Sequence, residues 1–231
     1  MSSDLPIEDA SEDPPARPRG RPRKTADERD DGNRRQELLS AAARLFRQQG
    51  FAATSTRDIA TAAGMQPGSP FYHFENKQAL LAAVMLEGMR SALQRQDAAL
   101  AQLPEGATAK QRFRTLVRSQ FEVLLGPDSD FIPVMLYERR ALDKIQMGEI
   151  IVLKDLYEAA WMPVFAQLHA EGQLAGDPKV VRMMVFGALN WAVQWYQPLQ
   201  ADHPPSTTGS PRASLDDLTS TALMLFLKVP A

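Results

Sequence analysis

From residue 33 to the end of the chain, apolar residues recur every three to four positions, and no stretch alternates with a period of two. That single property excludes a sheet protein and predicts an all-α fold. Punctuation divides the pattern. A helix is expected from Asn33 as N-cap, with Gln36 at the capping-box position and Leu38, Ala42, Leu45 and Phe46 as its apolar stripe. Gly50 ends it and Phe51 folds back on it. A short second helix follows, capped by Ser55 with Asp58 closing the box, and Gly64 supplies a left-handed turn. The segment QPGSPFYHF predicts a third short helix with Pro67 at its first position. Asn76 then caps a long fourth helix. Two short helices crossing at a glycine turn form a helix-turn-helix, whose second member enters the major groove. An ordinary three-helix bundle is the competing reading. Against it stand the polarity and proline content of the third helix.

Charge placement points the same way. The chain of 231 residues has a net charge of -2, yet residues 16–77 hold twelve Lys/Arg against seven Asp/Glu. The stretch ARPRGRPRK (16–24) carries five positive charges. Such a block suits a polyanion such as duplex DNA. Residues 1–32 contain almost no large apolar side chain and read as a disordered arm. The start of the chain has neither the basic nor the apolar region of a signal peptide, no run is long enough to span a bilayer, and cysteine is absent. These features predict a cytoplasmic protein without membrane attachment. The three histidines show no metal-ligand spacing, and neither a nucleophile elbow nor a phosphate loop is present. No metal, cofactor or enzymatic activity is expected.

Residues 33–82 resemble the DNA-binding domain of the TetR family of bacterial transcriptional regulators. The likeness runs through AAARLFRQQGFAATSTRDIATAAGMQPGSPFYHFENKQALLAAV, and includes Leu45-Phe46, Gly50-Phe51, the Thr54-to-Ala60 entry, Ala63-Gly64, Gly68-Ser69 and Tyr72-His73-Phe74. The resemblance implies an N-terminal helix-turn-helix domain (33–79) and a helical ligand-binding and dimerisation domain (80–231). It assigns base reading to Gln66, Pro67, Gly68, Ser69, Phe71, Tyr72 and His73. Contacts around the phosphates fall to Thr54, Ser55, Arg57, Tyr72 and Lys77. His73 has two readings, a DNA contact or a brace for the junction with the next helix. Phe71 also has two, contact with a thymine methyl or filler of space left by Pro70. Pro70 stands where the family carries a large aliphatic residue, which predicts a shortened or distorted recognition helix. Pro18-Arg19-Gly20-Arg21-Pro22 resembles the core of an AT-hook, which implies that Arg19 and Arg21 enter a narrow minor groove.

Further helices are expected to end near Leu103-Pro104, then to span 108–125, 131–142 and 147–171, the last kinked at Pro163 and ended by Gly172. Another begins at Asp177-Pro178 and stops at Pro198; 199–213 reads as a linker, and Ser214 caps the final helix. Val181, Met184, Val185, Ala188, Leu189, Ala192 and Val193 form a wide apolar face, as do Leu215, Leu218, Ala222, Leu225, Phe226 and Leu227. Such faces pair across a two-fold axis in TetR-like regulators, which implies a homodimer on a palindromic operator. Phe121, Met135, Tyr137, Trp161, Phe165, Asn190, Trp191 and Trp195 are candidates to line a small-molecule cavity, with plain core as the alternative for each. ALNWAVQWYQP (188–198) is similar to a motif in a TetR subgroup that responds to acyl-coenzyme A thioesters, with Gln197 in place of an arginine. Arg139 and Arg140 are candidates for a coenzyme A phosphate or for simple solvation. The reading is a ligand-responsive repressor. A helical small-molecule-binding protein without sequence-specific DNA binding is the alternative.

Overall fold

A computed structural model describes residues 26–126, 129–198 and 212–228. In chain order the helices are α1 (Ala26–Ala53), α2 (Thr56–Ala62), α3 (Ser69–His73), α4 (Lys77–Ala101), α5 (Ala109–Leu125), α6 (Phe131–Glu138), α7 (Lys144–Ala159), α8 (Trp161–Ala170), α9 (Pro178–Trp191) and α10 (Leu215–Phe226). Single 3-10 turns extend α6 over Arg139–Ala141 and α9 over Ala192–Gln194. The one pairing of extended chain among the described residues is two residues long, joining β1 (Gln197–Pro198) in parallel to β2 (Arg212–Ala213). No helix among the described residues is long and apolar enough to cross a membrane.

Helix α7 starts at Lys144 rather than 147, α9 stops at Trp191 with a 3-10 turn to Gln194 rather than at Pro198, and two further boundaries differ for a plain physical reason. Helix α1 runs through Asn33 back to Ala26, so residues 26–32 are helical and Asn33 is not its cap. Carrying Gly32 and Asn33 inside a helix costs only about 1 kcal/mol or less each, too little to stop it. Pro67 is not in a helix: α3 starts at Ser69, and Pro70 is its second residue. A proline there loses nothing, because the amides of a first turn have no intrahelical partner. The helix over 147–171 is kinked as expected: α7 ends at Ala159, α8 starts at Trp161, and Ala160 between them keeps helical angles of φ -65° and ψ -22°. Pro163 explains the position. It lacks the N–H that would bond the carbonyl of Ala159, and its ring crowds that carbonyl.

The expected caps are in place at α2, α4, α9 and α10. Ser55 accepts from the Asp58 amide and Asp58 from the Ser55 amide; Ser214 and Asp217 repeat the arrangement at α10. Gly50 interrupts α1 with φ 82°, a conformation that favours glycine, and the chain doubles back to set the Phe51 ring 5.4 Å from Phe46.

Two apolar clusters hold the molecule together, and their division does not follow the end of the helix-turn-helix. The first joins α1, α2 and α4 to α5, α6 and α7 through Leu38, Phe46, Ile59, Leu81, Met85, Leu124, Val134 and Ile150. The second joins α5, α8, α9 and α10 around Phe113, Trp161, Phe165, Leu168, Val185 and Leu223. Thus α4 and α6 share one core with the N-terminal helices. The two helices are tightly packed at Gly88, where an added Cβ would lie 2.8 Å from the Cβ of Phe131.

Candidate nucleic-acid interface and effector cavity

The sequence places small residues between α2 and α3, and Gly64 turns the chain with φ 68°. The amide of Met65 returns to the Ala60 carbonyl at 2.8 Å, closing the end of α2. Helix α3 buries only Pro70. That proline occupies the apolar position facing the core, so Phe71 is released outward, with 57% of its surface exposed, and Tyr72 with 81%. Gln66, Pro67 and Gly68 are exposed on the turn that leads into α3, and Ser69 is half-buried. The Gln66 carbonyl accepts from the Ser69 amide at 2.9 Å, which fixes this turn. An exposed helix start with a glycine, an amide side chain and two aromatic rings can approach base edges and the thymine methyl.

The surrounding candidates separate into two kinds. Arg57 and Ser55 are exposed beside the start of α2. The Ser55 hydroxyl and amide hold the Asp58 carboxyl below its ordinary value. Thr54 and Lys77, by contrast, face inward. Thr54 is buried and its hydroxyl donates to the Gly50 carbonyl at 2.7 Å. The Lys77 ammonium donates to the carbonyls of Phe51 and Thr54, each at 2.8 Å, and lies 4.3 Å from the Phe51 ring centre. Two of the three Lys77 N–H donors thus clamp the α1–α2 junction onto α4. His73 is half-buried and meets Tyr72 edge-on at 5.1 Å. Arg19 and Arg21 lie outside the described residues.

A cavity of about 440 Å³ lies among α4, α5, α6, α7 and α9. Its wall is largely apolar, formed by Met89, Val123, Ile132, Met135, Met147, Ile150 and Phe186. Arg139, Lys154 and Glu158 add charge, and Glu158 is ion-paired with both Lys154 and Arg182. Gln120, Tyr157 and Asn190 are the uncharged polar groups of the wall. The Tyr157 hydroxyl donates to Gln120 Oε1 at 2.6 Å, and Gln120 Nε2 donates to Asn190 Oδ1 at 2.8 Å. Behind the wall, Gln96 Nε2 donates to the Tyr157 carbonyl at 3.0 Å, and Trp161 Nε1 donates to Gln96 Oε1 at 2.9 Å. Five residues from five helices form one hydrogen-bonded chain. Among the described residues no buried side-chain nitrogen or oxygen lacks a partner.

Of the eight candidates for this cavity, Met135 and Asn190 line it. Phe121, Trp161 and Phe165 are buried in the second cluster, and Trp195 packs against that cluster. Tyr137 is half-exposed and lines a smaller cleft beside Phe46 and Gly50. Trp191 points outward with 64% of its surface exposed. The expected wide face of α9 is in fact two faces. Val185, Leu189 and Ala192 are buried, whereas Val180, Met183, Met184, Ala188 and Trp191 are exposed. On α10, Met224 and Leu225 are exposed while Ala222 and Leu223 are buried. Gln120 and Tyr157 were not expected from sequence. Their signal is faint: a polar residue on an otherwise apolar helical stripe. Among the described residues no three His, Cys, Asp or Glu side chains are gathered to hold a metal.

An exposed recognition helix clamped to a helical body that encloses a cavity defines a helix-turn-helix DNA-binding protein with a C-terminal regulatory domain. Residues 38–84 match the model of "Bacterial regulatory proteins, tetR family", and residues 106–199 match "Tetracyclin repressor-like, C-terminal domain". The chain belongs to the TetR family of transcriptional regulators. The HTH-type transcriptional repressor KstR2 of Rhodococcus jostii (strain RHA1) is 28% identical over 172 residues, spanning 71% of this chain and 80% of the relative. The superantigen PfiT is 33% identical with a TM-score of 0.65, covering 85% of this chain and 97% of that one. AibR, solved with isovaleryl coenzyme A and operator DNA, superposes with a TM-score of 0.71 at 23% identity, over 84% of this chain and 97% of its own.

Proposed function

We propose that the protein is a homodimeric repressor that binds a palindromic operator through α3 and leaves it when a hydrophobic acyl-coenzyme A-like effector fills the cavity. The observation that carries this reading is the shared core: cavity-wall residues on α4, α6 and α7 pack in one cluster with the α1 and α2 residues that support α3. A ligand with higher affinity for one arrangement of these helices shifts the population toward it, and with it the spacing of the two recognition helices. The apolar wall suits an acyl chain, and Arg139 and Lys154 supply positive charge for a phosphorylated head group. The coenzyme A complex of AibR, which has the same fold, supports that class of effector. Gln66, Gly68, Ser69, Phe71 and Tyr72 are the proposed base-reading set, with Arg57 and Ser55 toward phosphates. Arg19 and Arg21 form a minor-groove arm beside each half-site.

The exposed apolar faces of α9 and α10 form the dimer surface in this reading. Substituting both Met184→Asp and Trp191→Glu is expected to give a monomer by light scattering, with operator affinity lowered at least a hundredfold. The direct test of function selects bound duplexes from a random pool at near-physiological salt, then titrates the selected duplex complex with acyl-coenzyme A thioesters. An enriched palindrome released by thioester is expected. Binding without enrichment would leave a helical small-molecule-binding protein with a basic tail.

A further inference from the structure

We propose that Asn190 sets the chemical specificity of the effector cavity: its amide N–H groups read a carbonyl oxygen on an otherwise apolar ligand, and Gln120 and Tyr157 are positioning residues that fix which end of the Asn190 amide faces inward. This rests on the cavity being the effector site.

An amide side chain can turn either its oxygen or its nitrogen toward a ligand, and only its partners decide which. Here the decision starts at Tyr157. Its hydroxyl is buried and donates to Gln120 Oε1. Burial also pushes its pKa up, so the phenol keeps its proton, and a buried O–H must find an acceptor; among the described residues the acceptor it has is Gln120 Oε1. With its oxygen occupied, buried Gln120 must turn its nitrogen to Asn190, and it donates to Oδ1. Asn190 is thereby left with its oxygen engaged and its two N–H groups available. Among the described residues they donate to no partner.

The setting makes this donor selective. Asn190 shares the cavity wall with Val123, Ile132, Met135 and Phe186. When an apolar ligand seals such a space, a donor left without an acceptor loses its hydrogen bonds to water and gains nothing in return. A site built to hydrogen-bond one ligand group rejects analogues lacking that group far more strongly than a purely apolar pocket rejects a change of shape. The group required is an acceptor beside a hydrocarbon chain, as in the carbonyl of a thioester. The charged groups do not compete for this role, because Glu158 is paired with Lys154 and Arg182, and Arg139 and Lys154 suit phosphates.

Two probes of equal reach separate the ideas: octanoyl-coenzyme A, a thioester, and S-octyl-coenzyme A, a thioether without the carbonyl. Binding to the full-length protein is measured by titration calorimetry. Wild type is expected to bind the thioester at least tenfold more tightly. Asn190→Leu should bind both alike, and Asn190→Asp, which turns an acceptor toward the carbonyl, should prefer the thioether. Tyr157→Phe frees Gln120 to rotate, so it should lower the thioester-to-thioether ratio while thioether affinity stays within about twofold, a split that general loosening of the core would not produce. Equal wild-type affinity for the two probes would overturn the role of Asn190 and leave the effector site standing. No binding of either probe would overturn both.

Discussion

The two working regions of the molecule treat side chains in opposite ways. At the DNA-binding end, the side chains proposed to read DNA point outward and the short helices are held by backbone contacts: the Ser55–Asp58 box, the Asn76 cap and the Lys77 clamp on two carbonyls. In the regulatory body, polar side chains turn inward and bond one another, and it is the cavity that they face. A surface that must read a long partner needs side chains free to leave water for DNA. A cavity that must distinguish small molecules needs polar groups with fixed orientation. On the proposed function, the contrast teaches that side-chain freedom and side-chain constraint are allotted by the size of the partner.

The largest test of that contrast pairs one substitution in each region. Trp161→Ala removes a fully buried ring and the donor to Gln96. It is expected to cost about 3–5 kcal/mol of stability, read as a fall in thermal midpoint of roughly 10 °C or more. Tyr72→Ala should leave the midpoint nearly unchanged while weakening operator binding about tenfold or more. A large loss of stability in Tyr72→Ala would break the distinction.

A smaller effect separates contact from clamp within the DNA-binding end. Lys77→Met loses two charge-assisted bonds to carbonyls, so it should destabilise by about 2–3 kcal/mol. Operator affinity should fall with no change in the slope of log K against log salt, because no phosphate contact is lost. Arg57→Ala should lower that slope by about one without altering the midpoint. Should Lys77→Met also lower the slope by about one, the clamp would have to give way to a phosphate contact.

The smallest effect is acid weakening of two caps. Asp58 and Asp217 each have a carboxyl pKa lowered mainly by the capping serine hydroxyl. A depressed folded-state pKa contributes stability that is present above the unfolded value near pH 4 and is lost as pH falls through the lower folded value. Ser55→Ala and Ser214→Ala should each flatten the decline in thermal midpoint over that acid window, with little change in the slope near pH 7.

Much of the fold was legible because its signals are local. Ser55 with Asp58, Asp177 with Pro178 and Ser214 with Asp217 each stand within three residues of one another, and they mark helix starts that the structure keeps. The start of α1 was not legible, since Asn33 is a good cap but no obstacle to a longer helix. The cavity was the least legible part. Its hydrogen-bonded chain joins residues 37 and 70 positions apart, and nothing near Gln120 or Tyr157 in the sequence marks them. Trp161 and Trp191 show the same limit: periodicity identifies apolar faces but cannot say which of two faces on one helix turns inward. Of the expected cavity residues, Asn190 stands where expected because it is polar within an apolar run, a pattern that only a partnered group can sustain.

Helix α4 has a mechanical consequence. Its 25 residues make a rod about 37 Å long. Lys77 stands at one end, Gln96 near the other, and Gly88 between them is pressed against Phe131 too closely for any side chain. If the rod pivots at such a point, the contact is the fulcrum of a lever. The cavity-lining residue Ala92 lies about 6 Å along the rod on one side of this contact and Lys77 about 16 Å on the other, at 1.5 Å per residue. A tilt of the rod about this contact would carry a displacement at Ala92 to Lys77 enlarged by about 2.7-fold, and in the opposite direction.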